Sequence, residues 1–231
     1  MDIGRAFSFV TKDESWVTKV LLGGLITLIP ILGTLATYGY SYKLARNVAR
    51  GQERPLPDWN EFGDILTRGL MGIVIQIVYT LPVILLYFIV IFATAGAAAA
   101  TMDAEGEGGA GALIGLCLFP LLFLAAIACG LAALAAIARY LATDEFGEAF
   151  KFGEVFASLR NNIGPFVMLI VTAIAAGIVA SLGIFACGIG VLFTAFYAQL
   201  VIGHALGQLI AQLYPARDIQ APLGYTPPPS Y

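Results

Sequence analysis

Tyr197, His204 and Gln208 fall at offsets of seven and four within a long uncharged stretch, which places all three on one helical face. A phenol, an imidazole and a carboxamide in that arrangement can relay a proton or hold a polar solute. An ionisable side chain inside a membrane helix is costly to bury and therefore points to function. The same groups equally suit hydrogen bonds between helices, where amides and hydroxyls act as polar glue. Together they form a candidate intramembrane polar site. No second histidine stands in the chain, and HExxH, GxSxG, a P-loop and a strand-borne GxGxxG are all missing. Cys117, Cys129 and Cys187 sit in apolar runs without CxxC spacing, which suits buried free thiols better than zinc or a disulfide framework. No enzymatic activity, catalytic residue, metal or cofactor is expected.

The elements that would carry such a site follow from composition. The 231 residues are 59% apolar and 12% charged, with a mean hydropathy of +0.87. A soluble domain carries roughly 25% charged residues, so a water-facing surface cannot be built from this chain. A net charge of -3 with no basic patch argues against nucleic acid. Residues 69–100 and 110–138 contain no charge, and each exceeds the ~20 residues that cross a hydrocarbon core. The uncharged stretch 163–214 is too long for one span, and Gly188 and Gly190 mark a turn that divides it. The segment before the first apolar region carries Asp2, Asp13 and Glu14 and lacks a clean cleavage site, so it reads as a retained amphipathic element and not a signal peptide.

Region 17–42 is interrupted by Pro30 and Gly33 and reads as one kinked span or as a hairpin with a short first arm. Charge favours the hairpin. Asp103, Glu105 and Glu107 lie in one loop without a basic neighbour, and the hairpin puts all 12 Lys and Arg residues on the opposite face. The expected fold is an all-α polytopic membrane bundle of about six transmembrane helices in three hairpins, near 17–29, 32–50, 68–98, 112–142, 162–186 and 189–213. Residues 1–214 form this domain, and 215–231 a Pro/Tyr-rich disordered cytoplasmic tail. Both termini are expected in the cytoplasm of a cell whose inner membrane holds the protein. An internal echo fits a duplication: AFxF recurs at 6–9 and 149–152, and Gly33, Leu35, Thr37 and Tyr40 match Gly190, Leu192, Thr194 and Tyr197. In that alignment Asn47 stands where His204 does. The GxxxG from Gly203 to Gly207 predicts close helix packing within the bundle.

The most polar passage, RNVARGQERPLPDW over 46–59, reads as an orientation and anchoring element. Arg46, Arg50 and Arg54 would meet anionic lipid, and Trp59 would sit at headgroup level. Asp58 with Glu61 has the spacing of a capping box opening an interfacial amphipathic helix, and Phe152, Val155, Phe156 and Leu159 predict a second such helix.

The AFxF start, Trp16, IPILG, Gly39-Tyr40, the PLPDW block with Gly63 and Gly69, FGEVFASLRNN and His204-Ala205-Leu206-Gly207-Gln208 resemble an uncharacterised prokaryotic family, domain of unknown function 4013, over nearly all of 1–213. The resemblance implies a multi-pass membrane protein without an assigned activity, and PLPDW is its most specific part. Two functions are open: a membrane-embedded scaffold or interaction subunit, or a small-solute or ion channel or carrier built from duplicated hairpins. The expected partners are the lipid bilayer and either other membrane proteins or further copies of the chain.

Overall fold

Proline decides where the first apolar region folds. The computed structural model describes residues 1–100, 109–185 and 189–214. Helix α1 (Ile3–Ser8) and a 3-10 turn lead into α2 (Trp16–Ile26) and α3 (Leu32–Ala49). Between the latter two the chain reverses at Ile31, with φ 64° and ψ -61°. Leu32 N donates to the Pro30 carbonyl at 2.7 Å, giving the rare γ-turn with positive φ, a strained geometry for a β-branched residue. Region 17–42 is therefore a pair of helices and not one kinked span.

Helices α4 (Phe62–Ala100) and α5 (Gly109–Thr143) continue through Pro82 and Pro120. They are followed by α6 (Phe152–Asn161), α7 (Ile163–Ser181) and α8 (Gly190–Leu213). No strand occurs among the described residues. Four segments are long and apolar enough to cross a membrane: Trp59–Ala100, Gly111–Thr143, Ile163–Phe185 and Gly190–Leu213. The 11 residues of α2 rise only about 16 Å, near half of a ~30 Å hydrocarbon core. The expected acidic loop, the expected dividing turn near Cys187 and the tail lie outside the described residues.

Two amphipathic segments behave differently from one another. The expected capping box at Asp58 is not made, because its side chain caps nothing and turns to Lys19 instead, at 2.9 Å. Trp59–Glu61 is a 3-10 turn that runs directly into α4, so no separate interfacial helix forms there. The second, α6, is a separate helix with Val155 buried and Phe152 and Phe156 exposed.

The chain forms two compact units, Ile75–Leu134 and the union of Met1–Val74 with Ala135–Tyr231. In the first of these, α4 and α5 run antiparallel, and Gly111 leaves room for the Thr94 carbonyl that a Cβ would crowd. Phe92, Leu116 and Phe119 are exposed on it. In the other unit α8 is central, packing against α1, α2, α3 and α7. A Cβ at Gly203 would lie 2.8 Å from the Ser41 carbonyl oxygen, and one at Gly207 would overlap that of Ala45. The GxxxG thus packs against α3, as a contact inside the bundle. Helices α3 and α4 cross equally closely, since a Cβ at Gly39 would overlap the Ile65 carbonyl and one at Gly69 that of Leu35. Around these crossings Ala36, Tyr40, Leu44, Ile65, Phe196 and Leu200 close the core.

Candidate functional site

An extended chain presents carbonyls that no helix satisfies, and the PLPDW passage shows how this protein meets that demand. Pro55, Leu56 and Pro57 are buried in non-helical backbone. Proline brings no N–H, so only Leu56 carries a donor there, while all three carbonyls need partners. Asn47 Nδ2 donates to Pro55 at 2.9 Å, Lys19 Nζ to Leu56 at 3.3 Å and Tyr40 Oη to Pro57 at 2.7 Å. Lys19 Nζ also pairs with Asp58 and Asp13, each at 2.9 Å. Trp59 stacks on Tyr40 with ring centroids 4.6 Å apart, and its Nε1 donates to the Lys19 carbonyl at 3.3 Å. Residues 55–59 are therefore a strap fastened across the start of α2 and the end of α3. Burial alone would raise the Asp13 carboxyl, but hydrogen bonds from Lys19 and Ser15 outweigh it and hold the pKa below the usual carboxylate value.

Of the four residues read as lipid anchors, Arg46 is buried and Trp59 is half-buried against the core. Arg46 is 4% exposed, and its Nη1 lies 2.5 Å from Asp144 Oδ1, which Arg68 Nη1 also reaches at 2.9 Å. A guanidinium so buried requires a carboxylate partner, and the turn after α5 supplies it. Arg68 pairs in addition with Asp64 at 3.0 Å, and Lys43 bridges Glu61 and Asp64. Arg50, half-buried, stands near Arg46, Asp144 and Arg68. Arg54 alone of the four is exposed, paired with Glu14 at 3.1 Å. Asp144 itself has φ 61°. Burial would raise its pKa, yet the hydrogen bonds of Arg68 and Arg46 hold it below the ordinary range.

The polar triplet on α8 also fastens chain. Tyr197 Oη donates to the Phe7 carbonyl at 2.6 Å. Gln208 exchanges two bonds with Asp2, accepting from its N at 2.6 Å and donating to its O at 3.0 Å. Gln208 Nε2 lies 3.1 Å from His204 Nδ1, and the buried His204 ring stacks on Phe9 at 4.3 Å. The triplet thus holds residues 2–9 against α8, as Tyr40 and Asn47 hold the strap against α3. The matched pairs Tyr40/Asn47 and Tyr197/His204 serve parallel ends. Beside them, a cleft of about 520 Å³ opens between the α1 segment, the loop before the strap and the end of α8. His204 and Gln208 lie on its wall with Arg5, Lys12 and Glu53. Among the described residues no cluster of three or more His, Cys, Asp or Glu side chains is placed to hold a metal ion.

Sequence reasoning found the triplet and its Asn47 counterpart but gave Lys19 only a topological role. The signal was available: consecutive prolines leave carbonyls that need donors, and Lys19 is the one cation of the first apolar helix. Asp144 carried no such signal, because its partners are far away in sequence.

No curated protein and no solved structure matches the chain. A model of a protein family of unknown function, DUF4013, matches residues 22–189. That range includes the last five residues of α2 and all of α3, together with the strap, Arg46 and Asp144, and leaves Lys19 outside. It stops short of Tyr197, His204 and Gln208. The chain, all-helical among its described residues and with four apolar helices long enough to cross a membrane, belongs to the DUF4013 family of proteins of unknown function.

Proposed function

We propose that the protein is a membrane-embedded scaffold or interaction subunit of the prokaryotic cell membrane. Its six apolar helical elements form three hairpins, the first with a short arm that dips into the bilayer. The basic band and both termini face the cytoplasm, where Arg54 meets headgroups. The observation that carries this reading is how the polar side chains are used. Lys19, Tyr40, Asn47, Tyr197 and Gln208 are spent on backbone of the chain itself, and at Gly203 and Gly207 the α3–α8 seam is closed by glycine packing. Meanwhile Phe92, Leu116 and Phe119 of the α4/α5 hairpin stay exposed, as suits contact with lipid and other membrane proteins.

One feature favours a channel or carrier instead. A cavity of about 320 Å³ between α3 and α8 is lined by Thr27, Thr34, Thr37 and Gln199, and the buried Thr37 Oγ1 has no hydrogen-bond partner. The two readings separate in one pair of measurements. Purified protein in ion-reporter liposomes is expected to give no flux above empty vesicles, while a photo-crosslinker at Phe119 gives a discrete protein adduct in native membranes. Flux that Thr37→Val abolishes, with lipid adducts only at Phe119, would establish the carrier and reject the scaffold.

A further inference from the structure

Most basic residues around the first hairpin pair with carboxylates, whereas two others face one cleft. Lys19, Lys43, Arg46, Arg68 and Arg139 all have acidic partners. Arg5 and Lys12 are exposed on the wall of the 520 Å³ cleft, and among the described residues neither forms an ion pair. The nearest acids do not neutralise them. Asp2 is already engaged, its Oδ1 accepting from Arg5 N at 2.9 Å and its backbone bonded to Gln208. Glu53 sits on the rim and pairs with neither cation. The cleft is well within the 300–1,000 Å³ range of small-molecule sites, and its base is rigid, because the buried His204 ring is fixed between Phe9 and Gln208.

We propose that this cleft binds a phosphate ester. Arg5 offers a planar fork that matches two phosphate oxygens, and Lys12 adds a compact charge that needs no fixed direction. The carboxamides of Gln52 and Gln212 on the same wall supply neutral donors. Glu53 opposes the bound charge and tempers affinity. The phosphate comes from an anionic phospholipid headgroup or from a soluble phosphate ester, and the site chemistry is shared by both. This inference holds whether the protein is a scaffold or a carrier, since it concerns a cleft that neither reading uses.

The full chain, purified in nonionic detergent, tests it with two probes. Native mass spectrometry compares retention of phosphatidylglycerol with that of phosphatidylcholine, and calorimetry measures glycerol 3-phosphate. Arg5→Gln with Lys12→Gln is expected to weaken the preferred anion about thirtyfold, from the loss of two interfacial cations. Glu53→Gln is expected to tighten it, and Lys151→Gln, an exposed cation outside the cleft, to leave it unchanged. Loss confined to the lipid probe assigns a headgroup, and loss confined to glycerol 3-phosphate assigns a soluble ester. Should the double variant unfold, the gain from Glu53→Gln carries the test alone. Unchanged binding of both probes in a folded double variant overturns the site, as does an equal loss from Lys151→Gln.

Discussion

Asp144→Asn is expected to destabilise the protein by about 3 kcal/mol, near the low end for stripping the partner from a buried charge. The low end applies because the Asp144 side chain remains 31% exposed and water screens part of the pair. Its loss leaves Arg46, whose Nε already lacks a partner, buried without a counter-charge. Arg46→Met is expected to cost clearly less, since Asp144 keeps Arg68 at 2.9 Å and the methionine fills the space. The two variants also differ with pH. The Asp144 carboxyl is held below its ordinary value, so its contribution is present above the unfolded carboxylate pKa and fades as pH falls through the folded one. Thermal unfolding in detergent between pH 3 and pH 7 should therefore show a shallower acid loss in Asp144→Asn than in the parent. An Asp144→Asn protein as stable as the parent at pH 7 would remove the ion pair from the account.

Gly39→Leu is expected to have an effect of similar size through a different cause. A Cβ at this position overlaps the Ile65 carbonyl, and the overlapped atom is backbone that cannot rotate away. Helices α3 and α4 would have to separate, costing at least about 3 kcal/mol, the upper part of the overpacking range. Tyr40 would then lose its position over the strap, so residues 51–59 should become sensitive to protease in the same variant. Gly177→Ala provides the contrast. It lies within α7 with nothing within 4 Å of a Cβ, and is expected to be neutral or stabilising by up to about 1 kcal/mol. Equal damage from both substitutions would mean that the crossing at Gly39 is not close.

These expectations show which features are legible in one sequence. Helix positions follow from uncharged length, and the break at Pro30 follows from a missing N–H, because both are local consequences of the chain. The Gly203–Gly207 packing was legible for the same reason: small residues at i and i+4 always make one flat face. The strap was half legible. Its prolines ruled out a helix, yet the donors that satisfy its carbonyls come from α2 and α3, which only the folded hairpin brings alongside. For Arg46 and Trp59 nothing in the sequence pointed to their protein partners, because an arginine and a tryptophan beside an apolar helix look the same whether they face headgroups or a partner. What distinguishes them is Asp144 and Tyr40, both set by tertiary contact. Asp58 shows the competition directly, since a capping geometry was available and the ammonium of Lys19 took the carboxylate instead.

We propose that residues 16–49 form a membrane hairpin that returns the strap to the side on which the chain starts. Substituted-cysteine labelling tests it most directly, after replacement of Cys117, Cys129 and Cys187. Glu14 is the better reporter for the first side, because its side chain is 85% exposed whereas Asp13 is tied to Lys19. Asp103 reports the other side. An impermeant thiol reagent added to intact cells is expected to label a cysteine at 103 and to leave one at 14 unlabelled until the membrane is opened. Labelling of position 14 from outside would contradict it, making α2 and α3 a single crossing and placing the start of the chain opposite the strap.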